Sequence, residues 1–316
     1  MDGFICALVV LAAVVVYLGW RQGPEHDLTG KVVLLTGAGG GLGRLLAVNL
    51  AERGCRVACV DLATKPNEET ASMVHARGRQ HGAQPLAKAY TADLTKREAI
   101  SALVEDVIKD FGQIDILVNN AGQLQGGAIW DLSDAQMDLV LDVNLRACML
   151  LVKDVMPHMK ARRSGHIVTI SSIAALAPTL NTSAYAATKA GVSQFMECLY
   201  YDLQSQGLHE NIHVTTVQPY FMNTFSQLED AVKYNGPLGK LLFSFMDAKV
   251  SARTITKCIA TRQHVANLPA HLGFTASLLR LFPRAAMGFV IESLAKPDMK
   301  IFDYSATRHG RQLAEK

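Results

Sequence analysis

Tyr185 and Lys189 stand four residues apart in the run "SAYAATKAG" (183–191), so on a helix they share one face. A free phenol, with a pKa of about 10, is a poor base at neutral pH. A lysine charge one turn away favours the phenolate, which suits the pair to moving a proton on and off a substrate hydroxyl. Ser172 closes an apolar run thirteen residues before Tyr185. Its hydroxyl could bond the same substrate oxygen and stabilise alkoxide-like charge there. Ser171 and Ser183 are the competing hydroxyls, and strand alternation favours Ser172. Asn144 sits inside a long apolar helical stretch, where an amide is costly unless bonded. It is either a polar kink or part of the same device.

A second constellation lies upstream. "TGAGGGLG" (36–43) follows an apolar run and opens a helical pattern at Leu42. Glycines at such a turn let the backbone approach a pyrophosphate at the helix N-terminus, where amides and dipole favour an anion. No Gly-Lys-Ser/Thr follows, so this is not a P-loop, and G-x-G-x-x-G fails in every register; T-G-x-x-x-G-x-G fits. Asp61 ends the next apolar run, where a carboxylate would accept hydrogen bonds from adenosine ribose hydroxyls and repel a 2′-phosphate. That favours NAD over NADP, although Arg44 offers a basic partner beside the turn.

The elements that must position these residues alternate. Apolar runs at 31–37, 56–61, 85–93, 114–120, 166–172, 212–219 and 264–269 read as strands, and amphipathic stretches such as 42–53, 95–111, 134–161 and 184–206 read as helices. Val- and Ile-rich strands without polar alternation suit a parallel sheet covered on both faces. The expected class is α/β: a doubly wound, mostly parallel, seven-stranded, Rossmann-like sheet. No repeat or second domain boundary is visible. The expected organisation is an N-terminal apolar helix acting as membrane anchor over 1–21, a linker over 22–30 and one domain over 31–316.

Composition narrows the partners. The net charge of +3, from 31 basic and 28 acidic residues, is too small and mixed for a nucleic-acid footprint. The six cysteines contain no CxxC and read as buried thiols of a reducing compartment. His209 and His213 lack a third ligand, so no metal site is expected. Residues 3–20 carry no charge, and a spanning helix needs about 17–25 apolar residues. Asp2 in place of a basic n-region argues against a cleaved signal, and Arg21 beyond the stretch leaves the bulk of the chain cytosolic. Insertion into one leaflet is the other reading.

Taken together, "TGAGGGLG", "ADLT" with Asp93, "NNAG" (119–122), Asn144 in "DVNL", "ISS" (170–172) and "YAATK" (185–189) closely resemble the short-chain dehydrogenase/reductase family over about residues 30–270. The resemblance implies hydride transfer between an alcohol and a nicotinamide cofactor, NAD with NADP as the other option. It implies a catalytic set of Asn144, Ser172, Tyr185 and Lys189. Ser172 and Tyr185 would also meet the substrate, Lys189 would hold the nicotinamide ribose, and Asn144 would hold a relay water. Cofactor contacts are implied at Gly37, Gly41, Leu42, Gly43, Asp61, Asp93, Leu94, Asn120, Ala121, Gly122, Tyr185, Lys189 and Thr224, with Asp93 meeting the adenine amino group.

Tyr220 departs from the family's usual Pro-Gly after the sixth strand. With the N-terminal apolar segment and "NLPAHLGFTASLLRLFPRAAM" (267–287), it resembles a lipid-directed branch that includes retinol dehydrogenases and membrane-associated 17β-hydroxysteroid dehydrogenases. Residues 219–246 are expected to form a substrate lid. Residues 271–294 form either an amphipathic helix at a membrane or pocket, or ordinary packing or a dimer contact. A lipophilic alcohol as substrate, a homodimer, and an address at the endoplasmic reticulum or lipid droplet are the further expectations. An NADPH-dependent carbonyl reductase and a non-catalytic surface protein on the same fold are the alternatives.

Overall fold

The computed structural model describes residues 23–78, 87–178, 181–223 and 245–279, together with short strands at 232–234 and 295–297. Seven strands form one parallel sheet: β1 (Val32–Thr36), β2 (Arg56–Asp61), β3 (Ala87–Thr91), β4 (Ile116–Asn119), β5 (Gly165–Ile170), β6 (Ile212–Pro219) and β7 (Val265–Leu268). Their spatial order is β3-β2-β1-β4-β5-β6-β7. The chain starts in the middle, winds outward to β3, then crosses back to β4. The strand order therefore reverses between β1 and β4, and a crevice opens beyond their carboxyl ends.

Every residue of β1, "VVLLT", is buried, because both faces of the sheet are covered. Val33 and Leu35 point into one apolar layer with α1 (Gly41–Glu52), α2 (Thr64–Gly78) and α7 (Ala248–Ala260). Val32 and Leu34 point into the other, with α3 (Arg97–Phe111), α5 (Ala147–Arg162) and α6 (Ser183–Ser205). This is the expected doubly wound sheet. Helix α2 was not among the stretches read from sequence, because its run "NEETASMVHARG" is largely polar and among residues 67–77 only Asn67, Thr70, Ala71 and Val74 are buried.

The single helix expected over 134–161 has a fault inside it. α4 (Asp134–Leu141) starts at a Ser133/Gln136 capping box, then widens into one π-helical turn over Asp142–Arg146 before α5 continues. Asn144 is the centre of that turn. A bidentate ion pair from Arg97 to Asp154, at 2.5 and 2.6 Å, ties α3 to α5.

Among the described residues no helix is long and apolar enough to cross a membrane. The apolar stretch 3–20 lies outside them, as do Cys6, Thr224 and most of 219–246 and 271–294. Of the expected tail, α8 (Ala270–Leu279) is described, with Leu272 and Ala276 packed against Ile173 and Tyr220. Leu28, from the expected linker, belongs to the core. Cys55, Cys59, Cys148 and Cys258 are buried, but Cys198 is exposed on α6, a correction to the reading of uniformly buried thiols. It lies on the outer face of an amphipathic helix, which single-residue composition does not reveal.

Candidate active site

The cleft at the carboxyl edge of the sheet has a volume of about 620 Å³ and runs from the glycine turn to Tyr220 and Met222. At its first end, β1 runs straight into the turn. Gly37 and Gly41 adopt φ of +67° and +51°, which L side chains rarely adopt, and a side chain at Gly43 would overlap the Gly37 carbonyl. The turn is thus shaped by missing side chains, and Leu42 lines the cleft at the head of α1.

Asp61 ends β2 beside that turn and is 5% exposed. Its Oδ2 accepts the Gly39 N–H at 2.8 Å and its Oδ1 accepts the Ala63 N–H at 2.9 Å. Arg44 reaches the Gly39 and Pro66 carbonyls, at 3.0 and 2.9 Å, and pairs with Glu69 at 3.2 Å. Asp93 lines the wall beyond β3, its Oδ1 accepting both the backbone N–H and the hydroxyl of Thr95, and Leu94 is buried next to it.

The "NNAG" segment after β4 forms the floor. Its backbone is hung from β1: the Thr36 hydroxyl accepts the N–H groups of both Asn120 and Ala121 at 3.0 Å. The Asn120 side chain donates to the Thr36 and Gly37 carbonyls, at 2.9 and 3.2 Å, so it steadies the glycine turn itself. Thr36, quoted in the motif but given no role from sequence, is the residue that joins the two segments.

At the other end, β5 delivers two serines of opposite aim. Ser171 is buried, bonding the Lys189 carbonyl and the Ser193 hydroxyl. Ser172 is half-buried, lines the cleft, and accepts the Ala174 N–H at 3.1 Å. Helix α6 presents Tyr185 and Lys189 on one face, with the Lys189 ammonium 5.6 Å from the centre of the Tyr185 ring. Lys189 is 5% exposed and donates to the Ile170 carbonyl at 2.8 Å.

Asn144 completes the group. Its Oδ1 accepts the Gln123 N–H at 2.7 Å; its Nδ2 donates to the Gln123 carbonyl and the Thr188 hydroxyl at 2.8 and 3.1 Å. A methyl on Gly122 would contact both Asn144 Oδ1 and Lys189 Nζ, at 3.5 and 3.6 Å, so the two side chains converge there. The Asn144 side chain is thus a clamp between the floor and α6. Its carbonyl, approached by Cys148 Sγ at 3.3 Å, belongs to the widened π turn. Gln123 and Thr188 were missed from sequence because both act through contacts made only after folding.

Every site residue expected from the sequence lines this cleft or packs directly behind it, except Thr224, which lies outside the described residues. No cluster of three or more metal-ligating side chains occurs among the described residues.

A doubly wound sheet, a glycine turn at its first strand, and a phenol, an ammonium and a hydroxyl on one cleft define a class: dinucleotide-dependent oxidoreductases. Residues 31–233 match the family model described as short chain dehydrogenase, and the chain belongs to that family. It is 32% identical over 262 residues to epidermal retinol dehydrogenase 2 of Mus musculus, covering 82% of this chain and 81% of that protein. Among solved structures it resembles a short-chain dehydrogenase/reductase from Burkholderia phymatum in complex with NAD, with TM-score 0.66 and 24% identity over 81% of this chain and 94% of that one. It also resembles a metagenomic short-chain oxidoreductase in complex with NADP, with TM-score 0.61 and 26% identity over 76% and 96%.

Proposed function

We propose that the chain is an NAD-dependent dehydrogenase of a lipophilic alcohol, of retinoid, steroid or fatty-alcohol type, in which Tyr185 is the general acid/base. The observation that carries this reading is the meeting of Tyr185, Lys189, Ser172 and Asn144 around one cleft that begins at the glycine turn. The similarity to a retinol dehydrogenase and the apolar end of the cleft, with Tyr220, Phe221 and Met222, support the lipophilic substrate.

The residues fit a dinucleotide. The bare turn at Gly37–Gly43 leaves room for phosphates against the head of α1, and the Asp61 carboxylate suits ribose hydroxyls. When bound, the nicotinamide supplies the hydride acceptor. The protein's own work is on the proton. Ser172 donates to the substrate oxygen and holds it near Tyr185, whose phenolate takes the hydroxyl proton. The Lys189 ammonium, beside the ring, stabilises that phenolate by charge. Asn144 fixes Gln123 and Thr188, and with them the floor and α6; by the family resemblance it would also hold the relay water that serves Lys189.

Arg44 at the cleft wall favours the second reading, an NADPH-dependent carbonyl reductase on the same residues. Anchoring through residues 1–21 in the endoplasmic reticulum or a lipid droplet, a cytosolic catalytic domain over 31–316, a homodimer, and a cofactor contact at Thr224 belong to the same proposal. The test is a panel of retinoid, steroid and fatty alcohols and aldehydes with NAD(H) and NADP(H). Tyr185→Phe should lower turnover at least about 1,000-fold while dinucleotide affinity stays within about twofold. Full activity in that variant would refute the assignment.

A further inference from the structure

Behind Lys189 runs a buried polar chain that the mechanism above does not use. Gln218, at the end of β6 and 5% exposed, has Nε2 3.0 Å from the Ser193 hydroxyl. Ser193 lies 2.8 Å from the Ser171 hydroxyl, which lies 2.8 Å from the Lys189 carbonyl. Proton counting fixes every direction. The carbonyl only accepts, so the one Ser171 proton goes to it. Ser193 must then donate to Ser171, and the group facing Ser193 must be a donor, which requires the Gln218 NH2. No polar contact in the chain is left with two protons or none.

The Lys189 carbonyl is also the one a serine at 193 would bond by itself, four residues back along the helix. Here Ser171, from just beyond the strand, is inserted between them and takes that carbonyl. The next residue back, Ile170, accepts the Lys189 ammonium at 2.8 Å. Lys189 is therefore gripped at both ends of its own length by consecutive residues, Ile170 at the end of β5 and Ser171 just beyond it. The Ser171 N–H is in turn bonded to the Val217 carbonyl at 2.7 Å, next to Gln218.

We infer that Ser171, Ser193 and Gln218 are positioning residues that set the distance between the Lys189 ammonium and the Tyr185 phenol by tying α6 to the ends of β5 and β6. The inference rests on the assignment of Tyr185 and Lys189 above. Ser171 also holds the strand end that delivers Ser172, so one network sets both hydroxyl and ammonium. Loosening it lets the ammonium settle away from the ring, which weakens the charge felt by the phenolate without touching the glycine turn.

The first readout needs no known substrate. In the full chain saturated with NAD+, the 295 nm phenolate absorbance of the wild type minus that of Tyr185→Phe isolates this one tyrosine. Ser193→Ala and Gln218→Met, each measured against its own Tyr185→Phe partner, should move that titration to higher pH by about half a unit. Ser193→Thr, which keeps the hydroxyl, should restore it. With the best alcohol of the panel, kcat should fall about tenfold while the KM for NAD+ stays within about twofold. Titrations unmoved in both variants would overturn the inference, and so would loss of cooperative unfolding in both, which would make the network purely structural. Full turnover in Tyr185→Phe would instead remove the acid/base reading itself.

Discussion

The two ends of the cleft are built in opposite ways. The end near β1 and β2 is shaped by what is missing: a side chain at Gly43 meets the Gly37 carbonyl, one at Gly39 meets Asp61, and the backbone itself forms the surface. The end near β5 and β6 is shaped by side chains that reach across the sheet, Asn144 to Gln123, Ser171 to Lys189, Gln218 to Ser193. At Gly37, Gly39 and Gly43 the first end has no room for an added methyl. The second tolerates almost no lost hydrogen bond. Binding and chemistry should therefore fail under different substitutions, and that separation can be tested from both sides.

The largest effect is expected at the bare end. Gly43→Ala places a methyl on the Gly37 carbonyl, so the turn must open; dinucleotide affinity by fluorescence titration should fall at least about 100-fold, with about 1–3 kcal/mol lost in denaturant unfolding. At the bonded end, Asn144→Ala leaves the Gln123 N–H and carbonyl unpaired in a buried site. That should cost about 1–3 kcal/mol and lower kcat more than it raises the KM for NAD+. If kcat stays at the wild-type level, the clamp is not what positions α6. A smaller change is expected for Asp61→Asn. Removing the charge should raise the NADP+ to NAD+ affinity ratio about tenfold, and an unchanged ratio would shift selectivity to Arg44.

The smallest effect lies at the far edge of the sheet, under the bonded end. His166 and His213 are register partners at the starts of β5 and β6, with rings 6.1 Å apart, and the His166 Nε2 meets the Thr215 hydroxyl at 2.8 Å. Burial, then the neighbouring His213 and Arg262, pushes the His166 imidazole down to about 3; burial and Arg262 push His213 down to about 4. Below a pH of about 6.5 the unfolded chain binds protons that the folded one refuses, so stability is retained above that value and lost as pH falls toward 3 to 4. His166→Gln should flatten this acid limb in urea unfolding between about pH 6.5 and 4 without altering dinucleotide affinity at neutral pH.

Legibility in the sequence followed the same division. The five inner strands were readable because strands buried on both faces are nearly unbroken apolar runs, whereas the edge strands β3 and β7 alternate in burial and carry a weaker signal; the glycine turn was readable because glycine itself is the signal. Tyr185 and Lys189 were readable because a single helical turn joins them. What could not be read depends on residues far apart in the chain: Thr36 reaching Asn120 and Ala121, Asn144 reaching Thr188, Gln218 reaching Ser193. Each of these is an ordinary polar residue until the sheet brings its partner near. The π turn at Asp142–Arg146 was invisible for another reason, since the apolar pattern on either side continues through it.

The exposed thiol on α6 gives this division a practical use. Burial drives the Cys55 and Cys59 thiols up to about 12 and those of Cys148 and Cys258 up to about 11, so at neutral pH these four are almost wholly protonated and shielded from reagents. Cys198 stands in the open nine residues beyond Lys189 on the same helix. Among the described residues it is the natural point for attaching a fluorophore or spin label, and a reporter there would ride on the helix that carries the phenol and the ammonium.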